Sequence, residues 1–198
     1  MLPDEMEGRW ESVGRPLLGA DILILGDDDV PVPTGKSGEI VGAARFVMPR
    51  YYNRSEATED ATWIDDDGVT WLRTGDIGYV DEDGYLYVVD RKKDMILSGG
   101  QNIYPADIEA VLLTHEQVSE VAVVGVPSKR WGETPVALVM PVAGMRLDTD
   151  GIKKWLNERV GKQQRVAAVE LVDELPRNPN GKVLKRELRE RYKSHCFD

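Results

Sequence analysis

The stretch DRKKDMILSGGQNIYP, residues 90–105, separates two parts of the sequence that differ in pattern. Five consecutive charged residues, 90–94, lie between two apolar runs typical of strands, and two glycines precede a predicted helix start at Pro105. Neither a core nor a binding strand needs this combination of charge and backbone freedom. We interpret the stretch as a hinge that faces an anionic ligand, with the hinge itself at residues 91–94.

The residues before the hinge, 1–90, predict β structure. Short apolar runs at 21–25 and 38–43 are separated by residues that favour turns. Residues 77–89 predict a hairpin in which Gly84 supplies the permissive backbone of the turn. We expect a short helix just before Trp63, and no longer helical pattern in this part of the chain.

The residues after the hinge, 95–198, mix helices with strands without strict alternation, which indicates an α+β fold class. Apolar side chains recur at helical spacing after Pro105. Further helices are predicted over 148–161 and 182–192, and strands over 120–126, 135–141 and 169–172.

Composition excludes several classes of function. The formal net charge of −10 argues against general nucleic-acid binding, because a phosphate backbone is bound through a basic surface. The single cysteine, Cys196, allows no internal disulfide and favours a reducing, cytoplasmic location. With two histidines and one cysteine, a structural zinc site is not expected, and no apolar run approaches the roughly 18 residues of a membrane span.

Two polar motifs could carry chemistry. In LRTGD, residues 72–76, the carboxylate of Asp76 could accept hydrogen bonds from the two hydroxyls of a ribose, or it could bond its own turn backbone. In LPRNPNGKVLKREL, residues 175–188, Lys182 follows Gly181 and could bring an ammonium close to a phosphate. A solvated helix start is the alternative interpretation of Lys182.

Three segments, in this order and spacing, resemble the C-terminal part of the adenylate-forming enzyme superfamily, and within it the acyl-CoA synthetases. They are YYNRSEAT, WLRTGDIGYVDEDGYLYVVDRKKDMILSGGQNIYPADIE and LPRNPNGKVLKREL. Trp131, in KRWGE, separately resembles a position that contacts CoA in some relatives. The resemblance implies a small β-rich subdomain, shaped like a distorted barrel, over 1–90. It also implies a mobile α+β lid domain over 95–198.

The resemblance implies a role for each matching residue. Lys182 would be the catalytic lysine of adenylation, and Asp76 and Arg91 would bind the nucleotide. Lys93 would be the hinge residue about which the lid turns between two active poses. Gly99, Gly100 and Trp131 would contact CoA. The alternative for the two glycines is a strand-to-helix turn, and the alternative for Trp131 is a partly exposed packing tryptophan.

The segment QQRVAAVELV departs from the family pattern, in which a basic, proline-containing segment often helps to bind the CoA phosphates. Only Lys162 and Arg165 provide positive charge near it. The phosphate loop and the acyl pocket, which precede this region in relatives, are not in the sequence. Magnesium ligands are expected in that N-terminal part.

The resemblance therefore implies a C-terminal fragment of an ATP-dependent carboxylate–CoA ligase, with a fatty acyl substrate preferred over an aryl one. ATP or AMP, CoA and Mg²⁺ are the implied cofactors, and the fragment alone is expected to be inactive. The alternative is a stand-alone, non-catalytic module that binds nucleotide or a partner subunit. A run containing Val41, Ala43, Phe46 and Val47 is expected to be exposed in the fragment and to allow a homodimer.

Overall fold

The protein is described by a computed structural model that covers residues 8–197. The chain divides into two compact units after Lys93. This division falls inside the predicted hinge, 91–94. The role of that segment as a joint stays a prediction.

The first unit is a six-stranded antiparallel sheet in the order β1-β6-β5-β3-β2, with β4 paired to β5. Because β1 and β2 form opposite edges, the sheet is open and does not close into a barrel. Helix α1 (Ser55–Asp60) buries no residue. The strands are β1 (Ser12–Gly14), β2 (Ala20–Leu25), β3 (Gly38–Ala44), β4 (Thr62–Ile64), β5 (Thr70–Val80) and β6 (Leu86–Arg91).

Alternation along the strands gives this sheet two small apolar clusters, one on each face. Ile24 and Ile40 pack with Leu86, whereas their sequence neighbours Leu25 and Val41 pack with Trp71. The expectation that Val41 is exposed is therefore wrong, since the side chain is completely buried. Its strand position points it into the second cluster, while Phe46, beyond the end of β3, is 70% exposed.

The second unit is a five-stranded mixed sheet in which β10 is central. Strand β10 pairs antiparallel with β9, parallel with β11 through Val136–Val139, and with β7 at Gly132. The strands are β7 (Ile96–Ser98), β8 (Gln101–Ile103), β9 (Val118–Ser128), β10 (Gly132–Pro141) and β11 (Ala168–Leu171). The helices are α2 (Pro105–Leu112), α3 (Thr149–Asn157) and α4 (Lys185–Tyr192).

Helices cover both faces of this second sheet. Ala137 and Val139 of β10 point to a cluster that contains Ile108 of α2 and Leu156 of α3. The alternate residues, Val136 and Leu138, point to a cluster that contains Leu188 of α4. A strand buried on both faces reads as a continuous apolar run, which explains the pattern of residues 135–141.

The α+β class is confirmed, and the sequence pattern locates most of the elements. The Gly99–Gly100 pair, however, joins β7 to β8 in a hairpin and is not a strand-to-helix turn. The predicted helix over 148–161 ends at Asn157, four residues before the glycine taken as its end. Within residues 8–197, no helix is long and apolar enough to span a membrane.

Candidate functional site

Asp76 and Arg91, the two predicted nucleotide contacts, lie opposite each other on β5 and β6. Arg91 donates from Nε to Oδ1 of Asp76 at 2.8 Å, and both side chains keep access to solvent. The carboxylate is thus held by a guanidinium and not by a turn amide. It can accept further hydrogen bonds from hydroxyls, while the guanidinium has donors left for phosphate oxygens.

The backbone around Asp76 is fixed by Thr74. The Thr74 hydroxyl donates to the Ile40 carbonyl at 2.8 Å and accepts from the Asp76 amide at 3.1 Å. A register shift in the β5–β6 pairing follows directly, between Ile77 and Gly78. This irregularity sets which β5 side chain meets Arg91, because register decides every cross-strand pair.

Lys182 lies on an exposed loop that precedes α4, so it is not the start of a helix. The loop is a tight hairpin whose two arms meet in a bridge between Arg177 and Val183. Oδ1 of Asn178 accepts the amides of Asn180 and Lys182, at 3.0 and 2.9 Å. The backbone of Lys182 is therefore fixed, while its ammonium group is free to reach a ligand.

Arg177 anchors the same loop to the sheet. It donates to the carbonyl of Gly181 at 2.6 Å and forms an ion pair with Glu120 of β9. Gly181 has a φ of +82°, a conformation that disfavours side chains and explains the glycine before the lysine. These loop contacts depend on backbone geometry, and the residue pattern alone does not predict them.

Gly99 and Trp131, both predicted CoA contacts, pack against each other. The Gly99 amide donates to the Trp131 carbonyl at 2.8 Å, and a Cβ on Gly99 would lie only 2.9 Å from the indole. The space at Gly99 is thus filled by Trp131, whose ring is nevertheless 47% exposed. At Gly100 a Cβ would meet no atom within 4 Å, so open space lies beside that residue.

Gly99 and Trp131 line a cavity of about 540 Å³ within the second unit. The cavity also contains three basic side chains, Lys153, Lys162 and Arg165. Lys162 and Arg165 were noted from the sequence, whereas Lys153, which lies on α3 beside the buried Ile152, was missed. Its position on a half-polar helix is the one sequence signal that could have indicated a polar surface there. Three positive charges around one cavity suit a polyanionic ligand.

Among residues 8–197, no group of three or more His, Cys, Asp or Glu side chains is arranged to hold a metal ion. The described residues therefore do not fit a magnesium site. The structure brings together Asp76 with Arg91, and Gly99 with Trp131. Lys182 is not among the residues that line the cavity beside Gly99 and Trp131.

Residues 107–182 match the family model of the AMP-binding enzyme C-terminal domain. The matched region ends at Lys182. The chain therefore contains an AMP-binding enzyme C-terminal domain. Its similarity to the adenylate-forming enzymes lies in their C-terminal part.

Curated relatives include CoA ligases with different substrates. The chain is 44% identical to a feruloyl-CoA synthase of Amycolatopsis over 181 residues, which are 91% of this chain and 36% of the relative. It is 43% identical to a long-chain-fatty-acid–CoA ligase of Mycobacterium tuberculosis over 192 residues, covering 97% of this chain and 37% of that enzyme. The chain thus spans little more than a third of the relatives that it matches.

A solved structure supports the same relationship. The o-succinylbenzoate CoA synthetase of Bacillus subtilis, in complex with its acyl-adenylate intermediate, aligns with a TM-score of 0.82 and 36% identity. The alignment covers 96% of this chain and 37% of that enzyme. This adenylate-forming enzyme therefore shares both fold and sequence with the chain over nearly all of the chain's length.

Proposed function

We propose that the chain forms the C-terminal part of an ATP-dependent carboxylate–CoA ligase and contributes its adenylation lysine, Lys182. The observation that supports this role most directly is the hairpin that fixes the backbone of Lys182 and leaves its ammonium group exposed. A cation held in place before the reaction stabilises developing charge without reorganisation.

In the proposed first half-reaction, a carboxylate oxygen of the substrate attacks the α-phosphorus of ATP. The bond from that phosphorus to the bridging oxygen breaks, and pyrophosphate leaves with the electron pair. Both reactants are anions, so repulsion opposes their approach. Lys182 would offset this repulsion by placing its positive charge between the carboxylate and the α-phosphate.

We assign the nucleotide ribose to Asp76 and the adjacent phosphate side of the nucleotide to Arg91. The 2.8 Å ion pair supports this assignment, because it orients the carboxylate while the guanidinium retains unused donors. The pair also positions two groups of opposite charge on neighbouring strands, as a ligand with hydroxyls and phosphates requires.

In the proposed second half-reaction, the CoA sulfur attacks the acyl carbonyl carbon and its thiol proton passes to solvent. The carbon–oxygen bond to AMP breaks, and AMP leaves with the electron pair. We assign CoA to the cavity beside Trp131. Lys153, Lys162 and Arg165 line that cavity and would contact the CoA phosphates. The open space at Gly100 would admit the pantetheine arm. Lys93 would be the hinge about which the lid turns between the pose for adenylation and the pose for thioester formation.

The proposed substrate class is a carboxylic acid, with a fatty acyl chain preferred. Relatives named for feruloyl and for long-chain fatty acyl groups are similarly close, at 44% and 43% identity. The two relatives differ in the substrate that they are named for, so we assign substrate selectivity to the part of the ligase that precedes this chain.

A chimeric enzyme tests the proposal. The preceding part of the Amycolatopsis feruloyl-CoA synthase is joined to this chain, and both half-reactions are measured separately. Adenylation is followed as ferulate-dependent pyrophosphate release, and thioester formation as conversion of pre-made feruloyl-adenylate with CoA. Lys182→Ala should slow adenylation by about 10²–10³-fold, the loss expected for one preorganised charge. Thioester formation should hardly change.

Lys154→Ala is the matched control, because Lys154 is an exposed lysine of the same unit outside the site. It should leave both half-reactions unchanged. Equal losses of both half-reactions in Lys182→Ala would contradict a role restricted to adenylation. Unchanged adenylation would contradict the proposed function itself.

A further inference from the structure

The residues on both sides of Lys93 are held by ion pairs, each within its own unit. Nζ of Lys92 lies 2.8 Å from Oε2 of Glu39 in the first unit. Asp94 accepts a hydrogen bond at 3.0 Å from Nη1 of Arg189 in the second unit. Lys93 itself is exposed, and among residues 8–197 its side chain makes no ion pair. Lys93 is the middle residue of a 3-10 helix, Lys92–Asp94, and its side chain lacks the ion pair that each neighbouring side chain makes.

The anchor on the first side is a buried carboxylate. The side chain of Glu39 is 6% exposed and also accepts from Nη1 of Arg73 at 2.6 Å. Arg73 is held in turn by Asp29 at 2.6 Å. A buried carboxylate needs such partners, because an uncompensated charge in the interior is costly. The position of Glu39 is therefore well defined, and it defines the position of the Lys92 side chain.

The anchor on the second side is the helix that follows the adenylation loop. Arg189 lies on α4, one turn after Lys185, whose Nζ pairs with Oε1 of Glu109 at 2.7 Å. The same Glu109 oxygen accepts the amide of Val123 at 2.6 Å. All four side chains of these two ion pairs are less than 30% exposed. Helix α4 is therefore fixed to the second unit at two points.

We propose that Lys92–Glu39 and Asp94–Arg189 are positioning pairs that confine the hinge rotation to Lys93. Each pair extends the rigid part of its own unit up to the residue next to Lys93. The backbone torsions of a single residue then carry the change between the two active poses. This inference rests on the proposed hinge role of Lys93 and adds the residues that limit the hinge to it.

The second pair also links the hinge to the adenylation lysine. Lys182 lies three residues before α4, and Arg189 holds that helix to Asp94. A rotation at Lys93 is transmitted to Asp94, through Arg189 to α4, and from α4 to the Lys182 hairpin. Without the Asp94–Arg189 pair, residue 94 could move independently of α4, and the Lys182 ammonium group would be placed less accurately.

Nuclear magnetic resonance relaxation on the chain itself tests the confinement. Backbone order parameters near 0.85 indicate rigid amides, and values below about 0.6 indicate flexible ones. Within residues 90–96, we expect Lys93 alone to fall into the flexible range. Lys92→Met should extend the low values to residue 92, and Arg189→Gln should extend them to residue 94. Asp94→Asn should reproduce the effect of Arg189→Gln.

The controls remove equivalent charges that do not contact the hinge. Lys36→Met matches Lys92→Met in the first unit, and Arg186→Gln matches Arg189→Gln on the same helix. Both controls should leave residues 90–96 unchanged. Spectra that superimpose outside this segment show that a variant is folded. Equal mobility across residues 91–95 in the unsubstituted chain would overturn the inference, as would an unchanged residue 94 in Arg189→Gln.

The chimeric enzyme supplies an independent readout. Arg189→Gln should lower kcat of adenylation several-fold with the KM for ferulate unchanged, since the lysine is delivered less accurately but the substrate site is intact. Arg186→Gln should change neither quantity. An effect of Arg189→Gln on KM alone would contradict a positioning role. Normal adenylation in Lys182→Ala would reject the proposed function and leave the relaxation result standing.

Discussion

The two units solve the problem of covering a sheet in different ways. In the second unit, helices α2 and α3 cover one face of the sheet and α4 covers the other. In the first unit, the single described helix, α1, buries no residue, and the two apolar clusters are small. The second sheet therefore has an apolar core on each face, formed with its own helices. The first sheet has only a small apolar cluster on each face, and its own helix covers neither.

The difference appears directly in the exposed apolar side chains. Those of the first unit with more than 60% exposure are Trp10, Val13, Leu17, Leu18, Phe46, Tyr52 and Ile64. In the second unit, the exposed large apolar residues are all below 55%. Apolar surface of this extent marks an interface. We therefore expect an interface on the first unit rather than on the second.

Core substitutions should show the largest contrast. Leu138→Ala removes a completely buried side chain from β10 and should destabilise the second unit by about 3 kcal/mol. Val88→Ala, at a position 44% exposed in the first sheet, should change stability by less than about 1 kcal/mol. Urea unfolding followed by assigned amide signals of each unit checks both values. Similar losses for the two variants would remove the contrast.

The glycine hairpin gives the next largest effect. Gly99→Ala imposes a φ of +57° on alanine and places its Cβ 2.9 Å from Trp131, so we expect about 2 kcal/mol of destabilisation. Gly84→Ala, in the open turn of the first unit, meets no atom within 4 Å and should show only the backbone part, about 1 kcal/mol. The same urea experiment measures both. Equal effects would show that Trp131 adjusts without strain.

Self-association should follow the exposed surface of the first unit. The double substitution Leu18→Ser and Phe46→Ser should weaken association of the chain about tenfold, because both side chains offer apolar area. Leu113→Ser, at an exposed position of the second unit, is the control and should leave association unchanged. Sedimentation velocity over a concentration series provides the measurement. A chain that is monomeric at all concentrations would contradict this prediction.

The smallest effect concerns acid sensitivity, which should be found in the turns of the first unit. The Trp71 indole donates to Asp65 at 2.9 Å and, with the Val69 amide, lowers the pKa of Asp65 below its ordinary 3.8. A lowered pKa stabilises the fold above about pH 4, and that contribution is lost as the pH falls through the folded-state pKa. Trp71→Phe should raise the pKa of Asp65. Carboxyl titration by magnetic resonance measures it, with Trp63→Phe as control.

Elements with strong local signals could be predicted from the sequence. The apolar run of β10 and the apolar spacing of α2 predict those elements, and Gly84 predicts the β5–β6 turn, in which Asp81 accepts the amides of residues 83 and 85. The apolar run after residue 94 indicated β7, whereas the three-residue β8 carries too few residues for a pattern and appeared only in the structure. The parallel β10–β11 pairing is likewise a long-range property.

The candidate site was predictable only in part, for a related reason. Asp76 and Arg91 are 15 residues apart in the sequence, and their contact depends on a register shift that no sequence signal predicts. The roles of Lys182 and Lys93 came from resemblance to a family and not from spacing, and they remain predictions. Lys153 was missed because helical periodicity separates buried from exposed positions, yet does not show which exposed positions line a cavity.

The central position of β10 has a consequence for how the second unit forms. Strands β9 and β10 are joined by only three residues, Lys129 to Trp131, so their long antiparallel ladder closes a short loop. Short loops close rapidly and at low entropic expense, which favours this hairpin as an early folding nucleus. Strand β11 can join only after the crossover through α3 is complete. The amides of Val136–Val139 lie in the strand bonded on both edges, and they should be the last in this unit to exchange with solvent deuterium.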